Sequence, residues 1–142
     1  MAAQLAPPLA TPLPGCPAGK KILVIEDEME DRDRFSSVLR AHGFDVNACE
    51  SPSQGATLVE NGRYDFIIVE QGSHAFEGRA VLERVLAVDR LLPTVVLTRC
   101  VDMDCYLEAM QMGATDYIEK PVSDDDLLRV IETHMRHPSL AA

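Results

Sequence analysis

The stretch Tyr64-Asp65-Phe66-Ile67-Ile68-Val69-Glu70 decides the fold of this chain. It opens with a turn, continues through four apolar residues and ends on a carboxylate. A short apolar run of this kind predicts a strand buried on both faces, as in a parallel sheet. Open α/β sheets bind their ligands at the carboxyl ends of the strands. Glu70 is therefore the first candidate for a functional residue.

Outward from this stretch, four more runs predict strands, at residues 22–25, 44–49, 94–98 and 115–119. The run 44–49 alternates apolar and polar residues, which is typical of an edge strand with one wetter face. Helical patterns separate the strands and cover residues 29–42, 52–61, 79–90, 103–112 and 124–135. Strict alternation of strand and helix predicts a doubly wound α/β domain, in which right-handed crossovers cover both faces of a parallel sheet.

The ends of the chain differ from the middle. Residues 1–19 are rich in Ala, Pro and Leu and carry no charged side chain. We expect a disordered leader that does not belong to the fold, because such a segment cannot bury enough apolar surface to order itself. The globular domain is expected at residues 20–137, followed by a short tail at 138–142.

Composition and charge exclude several classes of protein. The formal net charge is −10 and no basic run is present, so we expect no nucleic-acid partner. No apolar run approaches the roughly 20 residues of a membrane span, so we expect no membrane partner. The four cysteines lack the spacing of metal sites or of secreted disulfide frameworks, which indicates a cytoplasmic protein.

Polar groups follow four of the predicted strands. They are Glu26 and Asp27, Glu70, Thr98, and Lys120. Clustered carboxylates either hold a divalent cation or take a lysine as counter-ion. A hydroxyl and an ammonium suit the oxygens of a transferred phosphoryl group. The arrangement therefore predicts a site at the carboxyl edge of the sheet.

These residues, together with the run Gly113-Ala114-Thr115-Asp116-Tyr117-Ile118-Glu119-Lys120-Pro121, make the chain resemble the receiver domain of two-component response regulators. The resemblance covers residues 20–137. It implies a flavodoxin-like (βα)5 fold with strand order 2-1-3-4-5.

The resemblance also implies roles for residues. Two acidic residues after the first strand help to bind Mg²⁺ in this family and match Glu26 and Asp27; Glu70 and Gly72 are the further candidate ligands. An Asp after the third strand accepts phosphoryl from a histidine kinase. A hydroxyl and a lysine contact the phosphoryl group and match Thr98 and Lys120. An aromatic residue that moves with the hydroxyl matches Tyr117.

The chain departs from the family pattern at its centre, because Glu70 stands where the phospho-acceptor Asp is expected. The extra methylene moves the carboxylate by ~1.5 Å. Misplacing a reacting group by about 1 Å can cost on the order of 100-fold in rate. The longer side chain also brings negative charge nearer to the phosphoryl position, so Glu70 is expected to imitate the phosphorylated state in part.

Two neighbours also depart from the family. His74 replaces the usual proline of the following loop, and Arg99 replaces a small residue after Thr98. Arg99 either covers the site or pairs with Glu70, or it points into solvent. His74 is expected to be an exposed loop residue, with a phosphorelay role as the lesser alternative. Lys120, with Arg99, could neutralise the pocket directly, so we favour no cofactor and leave Mg²⁺ open.

The leading hypothesis is a single-domain atypical receiver in bacterial phosphorelay signalling that is not an enzyme and does not depend on phosphorylation. It would bind a histidine kinase or another signalling protein, or a second copy of itself, through the surface formed by residues 103–137. The first alternative is a conventional Mg²⁺-dependent phospho-receiver. The second is a flavodoxin-like cofactor-binding or enzyme module, which the absence of a glycine-rich phosphate loop after the first strand disfavours.

Overall fold

The computed structural model describes residue 13 and residues 16–135 of the chain. Among these residues, five strands alternate with five helices. In chain order they are β1 (Lys21–Ile25), α1 (Met29–Ala41), β2 (Asp45–Cys49), α2 (Pro52–Asn61), β3 (Phe66–Glu70), α3 (Arg79–Val88), β4 (Thr94–Thr98), α4 (Met103–Gln111), β5 (Asp116–Glu119) and α5 (Asp124–His134). No helix in this part of the chain has the length and apolar composition needed to cross a membrane.

All strand pairs of the sheet are parallel, and their order is β2-β1-β3-β4-β5. The flavodoxin-like fold and its strand order are therefore confirmed. Ile25 pairs with Val69, and Thr98 pairs with Glu119. These registers bring the carboxyl ends of β1, β3, β4 and β5 to the same edge of the sheet. The polar residues that follow the four strands are thereby gathered in one place.

The apolar core lies in two layers, one on each face of the sheet. Because side chains alternate along a strand, Ile22 and Val24 face one layer whereas Leu23 and Ile25 face the other. Helices α1 and α5 cover the first layer with Phe35, Leu39, Leu127 and Ile131. Helices α2, α3 and α4 cover the second with Val59, Val81, Leu82, Val85, Cys105 and Ala109. Burial on both faces explains why β3 is apolar from Phe66 to Val69.

The carboxyl-terminal end of the predicted leader contacts the folded domain. Cys16 is buried in the same core layer as α1 and α5, and Leu13 packs against that layer. The Gly19 N–H donates to the Gly43 carbonyl, which fixes the chain before β1. Two apolar side chains of the predicted leader, Leu13 and Cys16, therefore contribute to this core layer. Residues 1–12, 14 and 15, and the end of the chain from residue 136, which includes the predicted tail, lie outside the described residues.

Candidate functional site

Lys120 is the centre of the site at the carboxyl edge of the sheet. Its side chain is only 6% exposed. Its Nζ lies 2.7 Å from Glu26 Oε1, 2.6 Å from Glu70 Oε1 and 3.0 Å from Asp31 Oδ2. A lysine ammonium has three N–H donors and no acceptor. Three carboxylates therefore surround the ammonium at ion-pair distance, and Asp31 accepts a hydrogen bond from it.

Burial and ion pairing have opposite effects on the pKa values of this cluster. Burial raises the pKa of Glu26 to about 7, although the hydrogen bond from Lys120 works in the opposite direction. Burial alone would lower the pKa of Lys120, but its hydrogen bonds to Glu26, Glu70 and Asp31 raise that pKa overall. Lys120 thus stays charged at neutral pH and supplies the counter-charge for the buried carboxylates.

Glu70 is the last residue of β3, and its side chain is 4% exposed. The loop that follows folds back over it. Gly72 adopts a positive φ of 88° and its N–H lies 3.4 Å from Glu70 Oε2. At Gly78, a Cβ atom would lie 2.4 Å from the Glu70 carbonyl oxygen. Glycine at these two positions therefore lets the loop close against the glutamate.

Arg99 lies over the acidic edge rather than on Glu70. Its guanidinium is 3.5 Å from Asp27 Oδ2 and 3.2 Å from Glu28 Oε1, and its side chain is half-exposed. Asp27, Glu70, Gly72 and Arg99 line one open cavity of about 390 Å³. Arg99 covers part of the site through Asp27 and Glu28, while Lys120 holds Glu26 and Glu70.

The carboxylates could also hold a metal ion. One oxygen from each of Glu26, Asp27 and Glu70 lies within 4.8 Å of the others. Carboxylate oxygens are the ligands that Mg²⁺ prefers, so this donor set fits the cation. Two of the three carboxylates are also the partners of Lys120. A cation at this site would therefore compete with the ammonium for the same negative charge.

Thr98 and Tyr117 use their hydroxyls outside the Lys120 cluster. The buried Thr98 hydroxyl donates to the Cys100 carbonyl at 2.8 Å. The Tyr117 hydroxyl donates to the side-chain oxygen of Gln71 and accepts a 3.2 Å hydrogen bond from the Asp102 N–H. The two predicted switch residues thus bind the loops around the site, and these contacts place neither hydroxyl on Glu70.

His74 is exposed, as predicted for a loop histidine, but it has a partner. Its Nδ1 contacts the carboxylate of Asp102, whose Oδ1 accepts the N–H groups of Asp104 and Cys105 as the N-cap of α4. The hydrogen bond from His74 lowers the pKa of Asp102, and the backbone donors lower it further. His74 therefore connects the loop after β3 to the start of α4.

Sequence reasoning missed three residues of this site. Asp31 shares Lys120, the buried Gln71 receives the Tyr117 hydroxyl, and Asp102 receives His74. The sequence could have indicated Asp31, because this residue follows Glu26 by five positions at the start of a predicted helix. Its side chain can therefore face the carboxyl edge of the sheet. Gln71 and Asp102 follow buried strands by only a few residues, but their partners come from other strands and loops.

Comparison with known proteins identifies the family of this chain. Residues 22–132 match the family model described as the response regulator receiver domain. The transcriptional regulatory protein FixJ of Bradyrhizobium diazoefficiens is 28% identical over 121 residues, which are 85% of this chain and 59% of FixJ. The transcriptional regulatory protein ZraR of Escherichia coli K12 is 26% identical over 116 residues, which are 82% of this chain and 26% of ZraR. The chain therefore spans less than two thirds of either relative.

Solved structures show the same fold. A CheY-like receiver domain protein from Methanospirillum hungatei superposes with a TM-score of 0.77 at 23% identity, covering 82% of this chain and 93% of that one. The receiver domain of the sensor histidine kinase PA1611 from Pseudomonas aeruginosa PAO1 gives 0.72 at 25% identity, covering 82% and 98%. The family model covers most of the chain and the solved structures share its fold, so the chain belongs to the response regulator receiver domain family.

Proposed function

We propose that this chain is an atypical receiver in two-component signalling, which binds protein partners without phosphorylation of Glu70. The observation that carries the proposal is the ion pairing of the buried Lys120 with Glu26, Glu70 and Asp31. The pocket is already neutralised in part by its own lysine. It therefore has an ordered arrangement that needs neither a phosphoryl group nor a metal ion.

Phosphorylation of this pocket would meet two obstacles. A phosphoryl oxygen would have to compete for the Lys120 ammonium with three carboxylates that already pair with it. The attacking oxygen of Glu70 also lies one methylene further from the backbone than that of an aspartate. Phosphoryl transfer depends on positioning and charge stabilisation, so both changes slow it.

The conventional Mg²⁺-dependent receiver remains the second candidate. It is favoured by the three oxygens of Glu26, Asp27 and Glu70 that lie close enough to share one cation. The Pseudomonas aeruginosa receiver domain was solved with a magnesium ion coordinated in its active-site cleft. If Mg²⁺ bound here, these three side chains would hold it, and it would supply charge neutralisation for an incoming phosphoryl group.

A titration separates the two candidates. Mg²⁺, alone and then with beryllofluoride as a phosphoryl mimic, is added to the wild type, Glu70→Asp and Glu77→Asp. Binding is followed by NMR at the Gly72 amide and by tyrosine fluorescence. Glu77→Asp is the matched control, because it shortens another glutamate that lines the same cavity without touching Lys120.

The proposal expects no beryllofluoride response in the wild type or in Glu77→Asp, and a response in Glu70→Asp. A wild type that binds Mg²⁺ and then beryllofluoride would overturn it in favour of the conventional receiver. A gain of one phosphoryl mass after incubation with acetyl phosphate and Mg²⁺ would do the same.

The proposed partner surface lies on α4, β5 and α5, within the predicted range 103–137. The exposed side of α4 carries the apolar residues Met103, Tyr106, Leu107 and Met110 at helical spacing. Such a stripe on a solvated helix suits contact with another protein. Residues 136 and 137 of the predicted surface lie outside the described part of the chain. Several properties remain predictions. They are binding of a histidine kinase or another protein partner, formation of a homodimer, the cytoplasmic location, and the lack of enzymatic, nucleic-acid-binding and membrane-binding activity.

A further inference from the structure

Asp31 connects the buried pocket to the protein surface. Its Oδ2 lies 3.0 Å from Lys120 Nζ inside the site, and its Oδ1 lies 3.9 Å from the Arg34 guanidinium outside it. Arg34 also lies 2.7 Å from Asp124 Oδ1, and it donates to the Val122 carbonyl at 2.8 Å. Asp124 is the first residue of α5. A continuous series of charged contacts thus runs from Glu70 to the start of α5.

We propose that Asp31 is a positioning residue that couples the charge of the pocket to the N-terminus of α5 through Arg34. The proposal rests on the proposed function in one respect, because it takes the Lys120 ion pairs as the working state of the site. It adds a route by which that state reaches a helix of the partner surface.

Competition for one carboxylate is the physical basis of the coupling. Asp31 divides its negative charge between Lys120 and Arg34. When the charge of Glu70 is removed, as in Glu70→Gln, Lys120 has fewer partners and is drawn more strongly to those that remain, Asp31 among them. Asp31 then attracts Arg34 less, and the guanidinium is held more exclusively by Asp124 and the Val122 carbonyl, which it already contacts. The electrostatic field at the start of α5 therefore depends on whether Glu70 in the pocket carries its charge.

The position of Arg34 makes this route selective. Its guanidinium lies over the Phe35 ring at 5.0 Å, which restricts where it can move. It faces a first turn of α5 that contains Asp124, Asp125 and Asp126. Small changes in its position alter the field at these backbone amides. Apolar packing of α1 on α5 is the competing route, and it does not involve the guanidinium at all.

An NMR mutant cycle tests the coupling without Mg²⁺. Glu70→Gln removes the pocket charge, and the resulting amide shifts are measured at residues 124–126 in the wild-type, Arg34→Gln and Asp31→Asn backgrounds. The Gly72 amide, which lies beside the Glu70 carboxylate, reports whether the pocket has responded. Asp31→Ala repeats the test with a side chain that cannot accept hydrogen bonds.

The expected result is a shift at residues 124–126 in the wild-type background that disappears in Arg34→Gln and in both Asp31 variants, while the Gly72 shift persists. Asp33→Asn is the matched control, because it makes the same chemical change at an exposed residue of α1, and the shift must survive in it. Persistence of the shift in Arg34→Gln, or its absence in the wild-type background, would overturn the coupling. A beryllofluoride response of the wild type would instead overturn only the proposed function.

Discussion

Replacement of Lys120 by methionine is the sharpest test of the ion-paired pocket. Methionine keeps an unbranched apolar stem but removes the ammonium. Glu26 and Glu70 would then stand beside each other without a counter-ion, with side chains that are 1% and 4% exposed. Asp31 loses the same partner but is more exposed and keeps Arg34. The damage should therefore concentrate on the two buried glutamates.

The size of the effect follows from their burial. Removal of one partner from a buried ion pair costs about 3–5 kcal/mol, because an uncompensated charge stays behind. Ion pairs on the surface contribute only about 0–1 kcal/mol. Domains of this kind have unfolding free energies of about 5–15 kcal/mol in total. We therefore expect Lys120→Met to lose about 3–5 kcal/mol at neutral pH, a large share of the total.

Urea unfolding followed by circular dichroism measures this loss. Arg79→Met is the matched control, since Arg79 lies 2.7 Å from Glu108 but both side chains are well exposed. It should lose no more than about 1 kcal/mol. At pH 5 the penalty of Lys120→Met should shrink, because burial raises the pKa of Glu26 to about 7 and the unpaired Glu26 takes up a proton in the folded state.

A penalty for Lys120→Met as small as that of Arg79→Met, with no change between pH 7 and pH 5, would refute the reasoning. It would mean that water or a rearranged side chain neutralises the glutamates and that Lys120 does not hold the pocket. Stabilisation of Lys120→Met by millimolar Mg²⁺, beyond any effect on the wild type, would show that a cation can replace the ammonium.

Three further predictions concern the same edge of the sheet. The folded state keeps the proton of Glu26 up to a pKa of about 7, against an ordinary value of 4.5, so urea unfolding should show stability falling as pH rises through this interval. The slope should reach at most about 1.4 kcal/mol per pH unit and be flatter in Glu26→Gln. Tyr117→Phe leaves the buried Gln71 amide without its donor, so the unfolding free energy should fall by about 1–3 kcal/mol. Gly78→Ala pushes a Cβ against the Glu70 carbonyl, and its unfolding free energy should fall by about 1–3 kcal/mol.

Each of these predictions has a result that contradicts it. An unchanged pH slope in Glu26→Gln would assign the titration to another group. Tyr106→Phe removes a hydroxyl from a more exposed ring, and an equal loss in both tyrosine variants would show that the Gln71 contact is not the cause. A Gly78→Ala variant as stable as the wild type would show that the loop moves away from Glu70 without cost.

Local patterns in the chain account for most of the fold. Residues Phe66 to Val69 of β3 are apolar because both faces of the strand are buried. Their composition therefore predicts a buried strand directly. Ser51 accepts the N–H of Gln54, and Gly43 and Gly113 adopt positive φ after helices, as their residue types predict. The alternation of elements predicts a parallel sheet. Its strand order came only from the resemblance to the receiver family.

The sequence by itself determined which elements form and which chemical groups stand at the ends of the strands, because burial, capping and turns depend on residues close together in the chain. The pairing of those groups was decided by the tertiary structure. Lys120 meets Asp31 across 89 positions, and Arg99 binds Asp27 and Glu28 rather than Glu70. Charge attracts any opposite charge within reach, so a sequence pattern identifies the candidates, whereas the distances between folded elements select the partners.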